Sequence, residues 1–439
     1  MAALEVAEAL RRAGSYPHAV LAYVGADGYP VNIAVEFTES VDGALVDVGP
    51  LDQDLRPGPG QEVELTFSHI RPQPGVGYDE RRYVNLWGPS TPAGDGLRVA
   101  VRRASGWDEA ETPFFEYAER GVPAGRDYLD ELGARPRLSG LWTVFLATRL
   151  PFLTATLIPV GLGGVVAARD NAFHTLWFVL ALVAAIAVHL GLNMANDIFD
   201  DANGADAANV TPTPFSGGSR VLQYGLVKRR TMIGGCAALY AVSIGLGLYL
   251  AAERGWGLVG IGAVGVALSL AYSAPPLRLV HRGLGEPVTA LGFGPVMAVG
   301  TYFACAGRWS WQPVLASIPV ALLIALVLYV NQIPDRIGDA AAGKRTLIVR
   351  FSPGQVQAGY AAGVAGAYLC IVAEVAAGVT PAWTLLALAT FPLAWRVRNG
   401  LRAHYESPYA LMPTMQSNIL LHLLTGLLLV IGYVIAVVS

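Results

Sequence analysis

The 439-residue chain is 54% hydrophobic and only 14% charged, where an ordinary soluble domain carries about 25% charged residues. Its charges also divide unevenly, with a net of −9 over residues 1–140 and +6 over 141–439. Two physically different portions are joined, which excludes a single water-soluble globule, a disordered or collagen-like chain and a basic nucleic-acid binder.

The opening MAALEVAEALRRAG lacks the basic region, apolar core and cleavage site of a secretory signal, so residues 1–140 are expected to start in the cytosol. From His18 to Arg103 the apolar residues alternate with period two and are punctuated by turn signals: HAVLAYV, GADGYP, VNIAVEFT, DG, ALVDV, then QEVELTFSHI, RYVNLWG and GLRVAVRR. Six short strands at this spacing predict a small antiparallel β-barrel, because closure removes exposed strand edges. TPFFEYAERG and RDYLDELG then read as helix. The strand–DGYP–strand opening, the RYVNLWG strand and the GWDE…PFFEYAER tail resemble the split-barrel domains of the pyridoxamine 5'-phosphate oxidase-like superfamily, over most of residues 15–120. The resemblance implies a domain over 1–135 that either binds a flavin, FMN, or is a flavin-free interaction or regulatory module. No phosphate-binding residue of that superfamily is matched.

ARPRLSG reads as the linker into a second domain over 140–439. Nine apolar helical runs follow, near 142–167, 173–198, 231–252, 255–273, 287–307, 312–333, 356–379, 381–396 and 416–438. Roughly 20 such residues cross a bilayer, so the expectation is an all-α polytopic membrane domain of nine transmembrane helices. The loops after the even-numbered runs carry 13 Lys and Arg, and those on the other face carry Arg169, Arg254 and Arg308. That asymmetry places the N-terminal domain and the loop-rich face in the cytoplasm at the cell (inner) membrane, with the C-terminus opposite. Cys236, Cys305 and Cys370 sit singly in the apolar runs, without disulfide or metal-site spacing.

Of eleven acidic residues beyond position 140, six fall in two clusters at the ends of the second and sixth runs. NMANDIFDDANGAD holds Asn193, Asn196, Asp197, Asp200, Asp201 and Asp206; NQIPDRIGDAAAGKRT holds Asn331, Asp335, Asp339, Lys344 and Arg345. Helical spacing of three and four aligns Asn193 with Asp197 and Asp200 or Asp201, and Asn331 with Asp335 and Asp339. Carboxylates crowded at a membrane boundary repel one another and lose hydration. Mg²⁺, which takes one or two carboxylates plus phosphate oxygens and retained waters, would relieve both costs, so the pattern points to two acidic clusters clamping a diphosphate.

NDIFD after the second run, YSAPPLRLVHRGLGE after the fourth and DRIGD…GKRTL after the sixth resemble the UbiA-type intramembrane prenyltransferases, over about 140–439. NMANDIFDDANGAD, GGSR and GKRTLIVR look most like the 1,4-dihydroxy-2-naphthoate prenyltransferases of menaquinone synthesis. The resemblance implies Mg-dependent transfer of a polyprenyl group from its diphosphate to an acceptor embedded in the lipid bilayer. Asp197, Asp200, Asp201, Asp206, Asp335 and Asp339 would be metal ligands, with Asn193 and Asn196 completing the shell. Lys344, Arg345, Arg220 and Arg278 would meet the phosphates. Two departures bear on the substrate: Gly204 stands where many members carry a third Asp, which Asp206 replaces, and Pro334 interrupts NQIPD.

Three further residues carry two readings each. Arg149, inside the first run, either faces a polar cavity and the diphosphate or snorkels to the interface. Tyr272 either stabilises the allylic cation or anchors the helix at the interface. His189 and His422, in apolar runs, read as hydrogen-bonded packing residues. Alternatives from the same family are prenylation of a haem or chlorophyll precursor and phosphoribosyl transfer to a lipid phosphate. A membrane transporter is the alternative from another class, but its ionisable groups would stand near the midplane rather than at helix ends.

Overall fold

A computed structural model describes residues 3–73, 77–131, 133 and 138–439. The ARPRLSG linker lies largely outside these residues. The chain divides into two compact units, Met1–Pro123 and Ala124–Ser439.

The first unit opens with α1 (Val6–Ala13) and continues through eight antiparallel strands: β1 (Ala19–Val24), β2 (Pro30–Val35), β3 (Phe37–Ser40), β4 (Leu45–Val48), β5 (Glu62–Gln73), β6 (Gly77–Ala93), β7 (Gly96–Ala100) and β8 (Arg103–Asp108). Their order is β2-β1-β5-β6-β7-β4-β3, with β8 also paired to β6. The long β6 joins two ladders, pairing with β5 and β8 through its first part and with β7 beyond Ser90. The alternation legible in the sequence resolves as an inward face of Leu21, Val46, Leu65, Phe67, Leu86 and Val99, closed by Leu10 of α1. Each such side chain contributes about 2 kcal/mol by leaving water. Two points differ from the six-stranded barrel expected: there are eight strands, and among the described residues β2 and β3 do not pair, so the ladder is open there. The buried polar or charged side chains among the described residues of this unit are Ser90, Ser105 and Glu119.

Beyond α2 (Phe114–Glu131), the second unit is helical. Its first apolar run is broken: α3 (Gly140–Ala147) ends before Arg149, whose φ of 52° is left-handed, and a 3₁₀ turn, Leu150–Leu153, leads into α4 (Thr154–Arg169). Arg149 therefore stands at a break rather than inside a span. Then come α5 (Thr175–Asn203), α6 (Ala205–Ala208), α7 (Arg229–Arg254), α8 (Gly257–Ser273), α9 (Gly285–Leu291) and α10 (Met297–Ala306), the last two continuous through a π-helical turn. They are followed by α11 (Gln312–Asn331), α12 (Arg336–Ala341), α13 (Leu347–Arg350), α14 (Pro353–Ala376), α15 (Phe391–His404), preceded by the 3₁₀ segment Ala382–Thr390, and α16 (Met412–Val438). Seven helices among the described residues are long and apolar enough to cross a membrane; α8 is a shorter apolar helix. Many large apolar side chains point outward, Leu248, Leu369 and Ile431 among them. A water-soluble bundle would bury such residues; here lipid is their solvent.

Candidate active site

α5 and α11 each run from an apolar portion into a polar end, and the cavity between them inherits that gradient. Its apolar walls are Phe152, Leu192, Phe293, Ile324, Val327 and Leu328; its polar end is formed by Asn193, Asn196, Asp200, Asp206, Asn209, Asn331, Gln332, Asp335, Asp339 and Lys344. Four carboxylates thus line the wall against two cations, Lys344 and Arg149. The two acidic clusters, more than 120 residues apart in the chain, meet here because Lys344 Nζ lies 3.1 Å from Asp200 Oδ2 and 3.4 Å from Asp339 Oδ1.

A single loop, 209–219, holds the remaining acids in place. Asn209 Nδ2 donates to Asp335 Oδ1 at 2.8 Å, and the Gly217 N–H donates to Asp335 Oδ2 at 3.1 Å. Ser219 N–H reaches Asp197 Oδ2 at 3.3 Å. Gly217 and Gly218 have φ of 78° and 76°, and a Cβ on Gly218 would stand 2.9 Å from both Asp206 carboxylate oxygens. Only glycine lets the backbone pass so close to the acids.

Burial raises the Asp206 carboxyl well above its ordinary range, with Asp200 and Asp197 adding to the effect. Burial likewise pushes Asp339 up to about 7; Lys344 opposes the shift, and Asp335 and Asp200 reinforce it. Burial works against the Lys344 charge, but Asp200 and Asp339 outweigh it and raise its proton affinity. The site holds more negative charge than its own cations satisfy. Asp339 Oδ2, Asn331 Oδ1 and Gln332 Oε1 are buried and accept no hydrogen bond, and a buried acceptor without a partner costs about 1–3 kcal/mol. Oxygen acceptors of this kind fit a hard divalent cation such as Mg²⁺. Among the described residues no three His, Cys, Asp or Glu side chains converge on one point, so such an ion would complete its shell with waters and substrate oxygens.

The predicted residues separate into two groups. Asn193, Asn196, Asp200, Asp206, Asp335, Asp339, Lys344, Arg149 and Tyr272 line the cavity. Asp197 lies behind its wall, bonded to the Arg149 guanidinium and Ser219. Asp201, one helical step from Asp200, is turned toward Gln223 and Arg229 instead. Arg220 is buried beneath the loop and donates to the Asp206 and Asn209 carbonyls. Arg278 and Arg345 are exposed and do not line the cavity. Sequence reasoning missed Asn209, Gln332 and the role of His281, whose Nε2 lies 3.8 Å from Asp200 Oδ1. GGSR was the visible trace of the loop that carries Asn209; nothing in its spacing reveals which carboxylate its N–H groups meet.

Residues 156–436 match the model of the UbiA prenyltransferase family. The chain is 28% identical over 296 residues to the 1,4-dihydroxy-2-naphthoate octaprenyltransferase of Bacillus subtilis (67% of this chain, 92% of that protein). It is 26% identical over 299 residues to the 2-carboxy-1,4-naphthoquinone phytyltransferase of Synechocystis (68% and 94%). A solved UbiA homologue from Aeropyrum pernix K1 superposes with a TM-score of 0.48 at 19% identity, over 63% of this chain and 97% of that one.

Proposed function

The chain belongs to the UbiA prenyltransferase family and is a multi-pass membrane prenyltransferase; from that premise we propose that it moves a polyprenyl group from its diphosphate to 1,4-dihydroxy-2-naphthoate, with release of diphosphate. The observation that carries the reading is the single cavity with carboxylates and unpartnered oxygen acceptors at one end and apolar walls at the other. It suits a substrate with an anionic head and a hydrocarbon tail. The relative named as a 1,4-dihydroxy-2-naphthoate octaprenyltransferase supports the acceptor, and the one named as a 2-carboxy-1,4-naphthoquinone phytyltransferase supports a two-ring aromatic of the same class.

Asp200, Asp206, Asp335 and Asp339 would hold Mg²⁺, no more than two of them to any one ion, and its contribution is to neutralise charge on the departing diphosphate. Lys344 meets the outer phosphate oxygens with a charge-assisted hydrogen bond. Asp197 keeps Arg149 directed at the site rather than binding substrate itself. Tyr272, which lines both the cavity and the adjoining apolar chamber, would set its ring against the positive charge that develops on the allylic carbon. Phe152, Ile324 and Val327 exclude the water that would otherwise capture that carbon.

The reading is tested by incubating the purified protein with Mg²⁺, labelled prenyl diphosphate and a panel of acceptors, followed by product mass spectrometry. Prenylated naphthoate and diphosphate are expected in equal amounts, abolished by chelation and restored by Mg²⁺. Unchanged labelled donor, or transfer only to a non-aromatic acceptor, overturns it.

We also propose nine crossings. Ser273 of α8 bonds Asn196 near the acidic end, while the α7–α8 turn is tied by Arg254 to the Ala304 carbonyl at the opposite end, so α8 traverses the full depth. The 3₁₀ segment and α15 lie along the whole of α16, touching Gly432 at one end through Thr384 and Thr414 at the other through Gly400. With nine crossings the basic loops and the acidic motifs share one face, and the excess of Lys and Arg in those loops supports a cytoplasmic assignment for it.

The tail route follows shared walls. The cavity shares His189, Leu192, Tyr272, Thr289 and Phe293 with an apolar chamber, which shares Val188, Gly265, Val296 and Met297 with a groove between α5, α7, α8 and α10. A Cβ at Gly265 would sit 3.4 Å from Val296, in ordinary contact. Gly265→Leu would therefore fill the junction without breaking the helix pair. We expect it to slow transfer from long donors such as octaprenyl diphosphate by at least about 10-fold while sparing geranyl diphosphate. Equal effects on both donors would show that the tail leaves by another path.

A further inference from the structure

Of the titratable side chains lining the cavity, all but His189 and Tyr272 stand at the carboxylate end or beside it. His189 precedes Asn193 by four residues and Asp200 by eleven, about 16 Å along the helix at a rise of 1.5 Å per residue. It is too deep to serve the diphosphate. It is also 4% exposed and lines both the cavity and the adjoining apolar chamber.

Its ring is held on two sides. Nδ1 lies 2.7 Å from the Thr156 hydroxyl, and the ring meets Phe293 edge to face with centroids 4.6 Å apart. The Thr156 hydroxyl is the one hydrogen-bond partner of the ring among the described residues, which leaves Nε2 for a ligand in the cavity that His189 lines. An imidazole fixed in orientation, with one nitrogen unpaired beside a cavity, is available to a ligand that offers it a hydrogen bond. The Thr156 hydroxyl can donate to Nδ1 or accept from it, so Nε2 can accept from a hydroxyl or donate to a carbonyl oxygen.

We propose that His189 anchors the acceptor, its Nε2 hydrogen-bonded to an oxygen on the aromatic ring, whose faces lie against Phe152 and Phe293. His189 thereby distinguishes oxygen-bearing aromatic acceptors from hydrocarbon chains. The proposal rests on the aromatic-acceptor reading and deepens it. It differs from a packing role in one respect: it moves acceptor affinity alone.

The test compares steady-state constants of the full-length enzyme in lipid with 1,4-dihydroxy-2-naphthoate and geranyl diphosphate, a donor whose short tail does not need the apolar chamber that His189 also borders. His189→Leu is expected to raise the acceptor KM by about 10-fold or more, with the donor KM within about twofold of wild type. His189→Gln, whose amide both donates and accepts, restores most of that affinity. Thr156→Val keeps the volume but releases the ring, and raises the acceptor KM by a smaller factor, about 3-fold. An unchanged acceptor KM in His189→Leu overturns the proposal. So does a Gln variant no better than Leu, or donor and acceptor constants that move together. A wild-type enzyme inert toward naphthoate yet active on another class of acceptor overturns the proposed acceptor first, and is seen before any variant is made.

Discussion

Asp339→Asn is expected to lower kcat for prenyl transfer by at least about 100-fold, the scale on which removing one preorganised electrostatic contact to a developing charge is felt. Asp339 is the informative choice among the acids. Its Oδ1 meets Lys344 while its Oδ2 is buried without a partner. The amide occupies the same space, so folding and insertion are preserved and the loss reports the missing charge. Asp201→Asn is the matched control, because Asp201 faces Gln223 and Arg229 outside the cavity wall. It is expected to stay within about threefold of wild type, as surface ion pairs contribute little. Initial rates with labelled donor at saturating Mg²⁺ make the measurement. An Asp339→Asn enzyme within tenfold of wild type would remove Asp339 from the metal-holding set.

Lys344→Met is expected to raise the donor KM by about 10- to 100-fold, matching the roughly 1.5–3 kcal/mol of a hydrogen bond to a charged group. The acceptor KM should hardly move. Lys344 is 8% exposed and bridges Asp200 and Asp339, so it both offsets their repulsion and stands ready for a phosphate. The two roles separate by adding Mg²⁺: excess cation can relieve carboxylate repulsion, but it cannot replace the ammonium's bond to the outer phosphate. A donor KM that returns to normal at high Mg²⁺ would confine Lys344 to a structural role. Arg345→Met, at an exposed neighbour, is expected to leave both constants unchanged.

The helical phase explains why some of the site was legible and some was not. Spacings of three and four aligned Asn193 with Asp197 and with Asp200 or Asp201; Asn193 and Asp200 do share the cavity wall, whereas Asp197 lies behind it. The same spacing left Asp200 and Asp201 undecided, since a stripe about 100° wide admits either and only the neighbouring helices choose. Asp197 shows a second limit. Its position along α5 is right, yet Arg149 and Ser219 occupy it, and those partners arrive from a helix break and a loop. Arg278 and Arg345 illustrate a third. Basic residues near an acidic motif attract notice in a sequence, but both sit where the backbone turns them toward solvent.

Read alone, the amino-acid sequence determined that an acidic, strand-rich portion precedes an apolar helical one and that two acid clusters end helices, and it pointed to a diphosphate with Mg²⁺ as their ligand. Those conclusions depend on local periodicity and net charge, which need no knowledge of the partners across space. Only the tertiary structure decided which four aspartates share a wall, that Lys344 bridges the clusters, that the loop glycines bring N–H groups onto Asp335, and that His189 faces a cavity. Each is a contact between segments distant in the chain, set by how helices pack against one another, and spacing along one helix carries no record of what lies opposite it.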